Sequence, residues 1–168
     1  MKNKILVYGY GNPGRMDDGL GNAVIEQLEE WAENEGITNI DFDSNYQLNI
    51  EDADTISPYE TVIFVDASEE PIEGFILTEV DSSDAKIEFT MHAVSTSYIL
   101  DLCKKMYKKA PKTYLLHIKG YEWEFAEELS EQAKENLKNA LDFLKNILKN
   151  PETIQDNLSK GTTGFWNN

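Results

Sequence analysis

Short apolar runs and longer amphipathic stretches alternate along this chain. The apolar runs are rich in β-branched and aromatic residues, a pattern that predicts strands at 4–8, 37–42, 61–67, 75–80 and 113–118. The run at 61–67, TVIFVDA, is apolar at nearly every position. It is therefore typical of a central strand that is covered on both faces.

Between these runs, apolar residues recur at the spacing of an amphipathic helix. The spacing predicts a short helix and three long ones, at 51–56, 19–34, 95–109 and 130–149. Gly36 and Pro111 mark the ends of the first two long helices. The last long helix has an acidic residue in its first turn and lysines in its last, which suits the helix dipole.

The order of these elements predicts the fold class. Strands that alternate with helices need crossover connections, which favour parallel pairing and helices on both faces of the sheet. We therefore predict the α/β class, as a three-layer αβα sandwich around a twisted, mostly parallel sheet of about five strands. A chain of 168 residues suits one domain, which we place at 1–150. Residues 151–168 lack periodicity, and we expect them to form a mobile C-terminal tail.

Composition narrows the classes of function. The formal net charge is −16 and the isoelectric point about 4.4, which disfavours nucleic acid as a partner because phosphate binding needs clustered Lys and Arg. No apolar run approaches the roughly 20 residues that span a bilayer, so we expect no membrane partner. Cys103 is the only cysteine, so we expect no internal disulfide. We see no leader segment, so we expect a cytoplasmic protein. We also expect a monomer.

The segment GYGNPGRMDDGLG, residues 9–21, carries the first candidate chemistry. Gly9, Gly11 and Gly14 have the G-x-G-x-x-G spacing of a dinucleotide-binding turn, in which a pyrophosphate meets a helix N-terminus. Asp17 and Asp18 follow at that helix start, where two carboxylates would compete with the phosphates and repel them. The doublet is better suited to a cation, so we interpret the segment as a metal-ligand turn.

Three candidate ligands fall at one edge of the predicted sheet. Asp18 follows the first strand, Asp66 ends the 61–67 strand, and His92 precedes the 95–109 helix. If the first and third strands are neighbours, in a 2-1-3 order, Asp18 and Asp66 converge on the crevice where such sheets bind ligands. Two carboxylates and an imidazole suit nickel, iron, zinc or manganese, and three protein ligands leave coordination positions open.

Each candidate also has a purely structural interpretation. Asp17 or Asp18 fits the N-cap of the first helix, but only one of them can occupy that position, and we assign the cap to Asp17. Asp66 fits a turn at a strand end, and His92 fits an ordinary loop histidine. We favour a buried, hydrogen-bonded core position for His117, which lies inside a predicted strand, and a small buried side chain for Cys103.

These motifs together resemble those of the hydrogenase maturation proteases. The G-x-G-N turn with an acidic doublet, the VDA that ends a strand and the histidine before a helix occur in that order from the first strand to the last helix. The resemblance implies an aspartic-type endopeptidase that removes the C-terminal extension of a nickel-iron hydrogenase large-subunit precursor after nickel insertion. It also implies that Asp18, Asp66 and His92 bind nickel, which the substrate contributes and for which other divalent metals can substitute.

The resemblance leaves two questions open. Many members carry a glycine-rich loop with Thr or Cys after the second strand, whereas this chain has DSNYQLNIED at 43–52, so the hydrogenase class it serves is not determined. No Ser-His-Asp or Cys-His arrangement is evident in the sequence, so our hypothesis is that the metal polarises the scissile carbonyl or activates a water. A nickel-sensing chaperone without peptidase activity is the alternative, and a dinucleotide-binding protein is a weaker one.

Overall fold

A computed structural model of the chain describes residues 4–82 and 94–159. Five strands lie within these ranges: β1 (Ile5–Tyr10), β2 (Ile40–Asn45), β3 (Thr61–Ser68), β4 (Phe75–Glu79) and β5 (Lys112–Lys119). The helices there are α1 (Leu20–Glu35), α2 (Asp52–Ile56), α3 (Thr96–Tyr107) and α4 (Glu131–Lys149), with 3₁₀ turns at Met16–Gly19, Pro151–Thr153 and Gln155–Asn157. Each element lies within a few residues of its predicted position.

The strands form a single sheet in the order β2-β1-β3-β5-β4. The first four strands are parallel, and β4 pairs antiparallel with β5 at one edge. The 2-1-3 order on which the convergence of Asp18 and Asp66 depends is present, and β3 is central. Residues 62–65 of β3 are fully buried because both faces of the sheet are covered.

Two apolar cores flank the sheet and give the predicted three layers. On one face, α1 and α4 pack their leucine and isoleucine stripes against alternate residues of β1, β3 and β5. On the other face, α2 and α3 pack against the intervening residues, among them Tyr8 and Phe64. The α/β sandwich predicted from the alternation of elements is therefore confirmed, with the one antiparallel strand at its edge.

The second strand begins later than the hydrophobic pattern indicates. Gly36 adopts a left-handed conformation with φ of 69°, and the N–H of Ile37 donates to the Ala32 carbonyl at 2.8 Å. The N–H of Gly36 donates to Glu33 at 3.2 Å, which completes a Schellman cap. Ile37 therefore serves the end of α1, and pairing with β1 starts only at Ile40.

After α4 the chain returns along the edge strand β4. The N–H of Ser159 donates to the Leu77 carbonyl at 2.9 Å, and the N–H of Leu77 donates to Ser159 Oγ at 3.0 Å. Ile154 is buried against the same core as α4. Residues 160–168 of the predicted tail lie outside the described residues. Across residues 4–82 and 94–159, none of the helices combines the length and apolar character needed to cross a bilayer.

The glycines of the 9–21 segment allow backbone to touch backbone. A Cβ on Gly9 would lie 2.2 Å from the Gly21 carbonyl oxygen. A Cβ on Gly21 would lie 2.6 Å from the Val65 carbonyl oxygen and 2.8 Å from that of Tyr10. The first turn of α1 therefore rests directly on β1 and β3, which accounts for these two glycines without a nucleotide.

This packing makes Gly21→Ala an informative substitution. In an open helix, alanine in place of glycine stabilises by about 1 kcal/mol. Here we expect destabilisation of about 2 kcal/mol, because the strand carbonyls leave no room for a methyl group. Urea unfolding measures the sign directly. Gly36→Ala is the control, since its Cβ would meet open space and only backbone strain is added. A more stable Gly21→Ala protein would contradict the packing argument.

Candidate functional site

Two acidic side chains meet in a cleft at the carboxyl edge of the sheet. Asp18 follows β1 in the turn Met16–Gly19, and Asp66 lies near the end of β3, the neighbour of β1. Both line a cleft of about 440 Å³ and also a smaller one of about 250 Å³ towards the loop after β2. The structure brings these two predicted ligands together, while their role in binding stays a prediction.

The turn after β1 fixes the position of the Asp18 carboxylate. Gly11 has φ of 143°, and a Cβ there would lie 2.0 Å from the Asp18 carbonyl oxygen, so the turn requires glycine. The N–H of Asn12 donates to Asp18 Oδ2 at 2.9 Å. This carboxylate thereby takes the backbone donor that a phosphate would need, which disfavours the dinucleotide interpretation.

Asp66 is held in an environment that disfavours its charge. Burial and the nearby Asp18 carboxylate raise its pKa to about 7, although a hydrogen bond from the Tyr10 hydroxyl and one from the Ala67 N–H oppose the change. Burial and the Asp66 charge in turn raise the pKa of Tyr10 well above its ordinary value. Two carboxylates that repel each other in this way favour a cation between them.

Asp17 has a different task from the one predicted. The N-cap of α1 is Gly19, which makes no side-chain cap bond, so the prediction that a residue of the doublet caps this helix is wrong. Asp17 is fully buried and accepts backbone N–H bonds from Tyr121 at 2.7 Å, Glu122 at 2.9 Å and Ser130 at 2.8 Å. It joins the turn after β1 to the loop between β5 and α4.

The third predicted ligand, His92, lies outside the described residues. Within residues 4–82 and 94–159, no group of three or more His, Cys, Asp or Glu side chains is placed to hold a metal ion. Asp18 and Asp66 lie together as two carboxylates in an open cleft, and their binding of a metal remains a prediction. A ligand role for His92 remains a prediction.

His117 lies nearer to the cleft with Asp18 and Asp66 than its sequence context indicates. Its strand pairs in register with β3 so that His117 stands opposite Asp66, and it lines the larger cleft. Its Nε2 is 2.9 Å from Thr78 Oγ1, and burial lowers its pKa to about 4. The hydrogen-bonded position agrees with our interpretation, but the side chain borders the cleft instead of facing only core. The alternation of TYLLHIK with a known register would have revealed this.

Arg15 is a site residue that sequence reasoning missed. It lines both clefts, and its guanidinium donates to the Trp123 carbonyl at 3.1 Å and lies 5.7 Å from the ring centroid of Phe125. Trp123 also lines the larger cleft. The available signal was its position in the sequence. Arg15 is a cation two and three residues before Asp17 and Asp18, which marks it as a candidate for the same site.

The 43–52 segment forms the opposite rim. Tyr46 and Gln47 line the smaller cleft together with Tyr10 and the two carboxylates. Asp52 is buried and accepts a bond from the Tyr8 hydroxyl at 3.0 Å and one from the Asn49 N–H at 2.8 Å, which anchors the far end of the segment. The expected contact of this loop with a precursor remains a prediction.

No protein-family model matches this chain, and no curated protein sequence matches it. Solved structures do match. The NiFe hydrogenase maturation protease HycI from Thermococcus kodakarensis aligns with a TM-score of 0.69 and 22% identity, over 88% of this chain and 94% of that chain. The hydrogenase maturating endopeptidase HybD from E. coli aligns with a TM-score of 0.72 and 17% identity, over 88% and 93%.

A third structure gives the same result. The hydrogenase 2 maturation peptidase from a Thaumarchaeota archaeon aligns with a TM-score of 0.63 and 24% identity, over 87% of this chain and 98% of that chain. The similarity thus extends over nearly the whole length of each protein. The chain adopts the fold of the hydrogenase maturation proteases.

Proposed function

We propose that this protein is an endopeptidase that removes the C-terminal extension of a nickel-iron hydrogenase large-subunit precursor. The observation that carries the proposal is the pair Asp18 and Asp66, which meet in a cleft on a fold shared with hydrogenase maturation proteases. The motifs of the 9–21 segment, the VDA strand end and His92 support the same assignment.

In this proposal the nickel belongs to the substrate. Thiolates of the precursor hold the metal, and Asp18, Asp66 and His92 add oxygen and nitrogen ligands at its open positions. Burial and the nearby Asp18 charge raise the pKa of Asp66 to about 7, and a divalent cation between the two carboxylates relieves their repulsion. Recognition of the cleavage site is therefore conditional on the metal, and a nickel-free precursor is not cut.

Water is the attacking group that the described residues favour. Cys103 lies buried in the core on the α3 side of the sheet, where its thiol donates to the Lys109 carbonyl, so it is remote from the cleft. Ser68 lines the cleft, but its hydroxyl oxygen accepts the Glu70 N–H at 3.1 Å. The substrate's metal then polarises the scissile carbonyl or activates the water, and the two carboxylates position the metal.

The composition supports the oligomeric state and the cellular compartment that we propose for this protein. A net charge of −16 opposes self-association, in keeping with a monomer that meets a separate precursor. The single Cys103 is free and buried, as suits a reducing compartment, and we place the protein in the cytoplasm.

The proposal is tested by incubating the protein with nickel-loaded and nickel-free precursor and measuring the precursor mass. We expect the C-terminal extension to be lost only from the loaded sample. Asp18→Asn serves as the matched inactive variant, since amide and carboxylate have the same shape but differ in charge. An unchanged mass in both samples would contradict the peptidase, and metal-dependent binding without cleavage would favour the nickel-sensing chaperone.

A further inference from the structure

The loop between β5 and α4 is fixed to the body at many points. The N–H of Met16 donates to the Ala126 carbonyl at 2.7 Å, and the N–H of Asp17 donates to that of Glu122 at 3.0 Å. The Asp17 carboxylate holds the two ends of the loop through the N–H groups of Tyr121 and Ser130. We call residues 121–128, YEWEFAEE, the rim loop, because Trp123 within it lines the larger cleft.

This fixed loop holds a large apolar side chain in solvent. Phe125 is 89% exposed, although the backbone on both sides of it is hydrogen-bonded to the turn after β1. The Arg15 guanidinium lies 5.7 Å from the centroid of the Phe125 ring and donates to the Trp123 carbonyl. The ring therefore has a contact with the turn after β1. Because the loop backbone is already fixed, little backbone entropy is lost when a partner covers Phe125, and burial of the ring favours binding.

The charges around Phe125 indicate what kind of partner would cover it. The rim loop carries four exposed glutamates: Glu122, Glu124, Glu127 and Glu128. The ion pairs found in the described part of the chain involve none of them. Across the cleft, Glu69 and Glu70 are also exposed. Arg15 lies against the Phe125 ring and Lys119 lies 5.9 Å from the Tyr121 ring centroid, but the glutamates outnumber them, so the surface fits an apolar depression that is edged by Lys and Arg.

We propose that the rim loop is a docking surface for a folded protein partner with a basic surface patch. Phe125 inserts into an apolar depression on that patch, and the glutamates face its Lys and Arg side chains. A second copy of this chain fits less well, because its net charge of −16 repels another copy overall, even though Lys104, Lys109 and Lys112 line one of its own clefts. Because Trp123 lies in the cleft wall, a partner docked here presents its neighbouring segment to Asp18 and Asp66.

On the proposed function, which this inference deepens, the partner is the body of the hydrogenase precursor and the contact lies outside the scissile segment. Docking through a surface beside the cleft that does not contact the scissile segment lowers KM without altering the chemistry at the cleft. The rim loop would therefore set how tightly the precursor binds, whereas the two carboxylates set whether it is cut.

Two variants and two controls test the inference. Phe125→Ala removes the ring and Glu124→Lys reverses one charge, while Met106→Ala and Glu30→Lys make the same changes at exposed positions on α3 and α1. With nickel-loaded precursor, we expect the rim-loop variants to raise KM about tenfold with kcat within about twofold of wild type. The controls should match wild type, and added salt should weaken wild-type binding.

Binding of nickel-free precursor, measured by biolayer interferometry, separates this inference from the proposed function. Weaker binding by Phe125→Ala supports the docking surface even if no sample is ever cleaved. Cleavage by wild type with unchanged KM and binding in both rim-loop variants would overturn the docking surface and leave the peptidase intact. Failure of wild type to bind the precursor would also overturn it. Because Phe125 is exposed, the thermal unfolding midpoint of the Phe125→Ala protein should equal that of wild type.

Discussion

Asp66→Asn is expected to stabilise the folded protein at about pH 8 and, on the proposed function, to lower cleavage of the precursor about 100-fold or more. Both effects have one cause. Burial and the Asp18 charge disfavour the charged form of Asp66, so the Asp66 carboxylate beside the cleft destabilises the folded state. Asparagine keeps the acceptor for the Tyr10 hydroxyl but removes the charge, and with it a ligand for a hard or borderline cation.

The pH dependence follows from the direction of the change. The pKa of Asp66 is about 7 in the folded chain and 3.8 in its ordinary state, so between these values the folded state holds a proton that the unfolded state has released. This contribution therefore lowers wild-type stability as the pH rises from about 4 to about 7. The Asp66→Asn protein lacks it, so its advantage should be absent near pH 4 and largest above about pH 7.

Urea unfolding at several pH values measures this advantage, which we expect to reach about 1–3 kcal/mol because Asp66 is only partly buried. Asp142→Asn on α4 is the control, since it removes the same formal charge from an exposed position. A gain of equal size in both variants would assign the effect to the net charge of −16. A variant that is less stable than wild type at every pH would contradict the environment described for Asp66.

The fold could be predicted from the sequence because its elements depend on local patterns. Apolar runs and helical spacing located the strands and helices, and alternation of the two predicted the layers and the mostly parallel sheet, whereas the 2-1-3 strand order was a condition that the structure meets. The error at β2 arose because Ile37 is apolar yet completes the Schellman cap of Gly36. An apolar residue after a helix suits a cap as well as a strand, and periodicity does not distinguish the two.

The site was harder to predict because its remaining parts depend on contacts distant in sequence. Asp18 and Asp66 follow strands that the order places side by side, so their convergence was accessible. The position of His117 beside Asp66 requires the register of β5 on β3, which the sequence does not contain. Arg15 and Phe125 meet across 110 positions of chain through the backbone bonds of the rim loop, and no local pattern predicts that contact.

Asp17→Ala is expected to destabilise the protein by about 4 kcal/mol, the largest loss of stability that the site's residues predict. The Asp17 carboxylate accepts four hydrogen bonds, three from backbone N–H groups and one from the Ser130 hydroxyl at 2.7 Å. Alanine leaves these partly buried donors without the carboxylate, and each unsatisfied donor costs about 1–3 kcal/mol when water does not replace it. The same Ser130 hydroxyl caps α4 by accepting the Ala133 N–H at 3.2 Å, so the loss reaches the start of that helix.

The charge of Asp17 adds an acid dependence to this loss. Burial by itself would raise its pKa, but the bonds from Ser130, Tyr121 and Glu122 outweigh burial and lower the pKa below 3.8. Stability from this carboxylate is therefore present above the ordinary pKa and is lost as the pH falls through the lowered value. Asp17→Asn keeps an acceptor oxygen and should lose less stability than Asp17→Ala, while lacking this acid-dependent contribution.

Asp18→Asn is the matched control within the same doublet, because among the described residues the Asn12 N–H is the hydrogen-bond donor to the Asp18 carboxylate, which lies in an open cleft. Urea unfolding near neutral pH should place Asp17→Ala far below wild type and Asp18→Asn close to it. The order of their effects on precursor cleavage should be reversed at temperatures where both remain folded. Equal stability of the two variants would mean that the rim loop is held without Asp17. The adjacent carboxylates would then share one task, whereas the structure assigns Asp17 to the loop and Asp18 to the cleft.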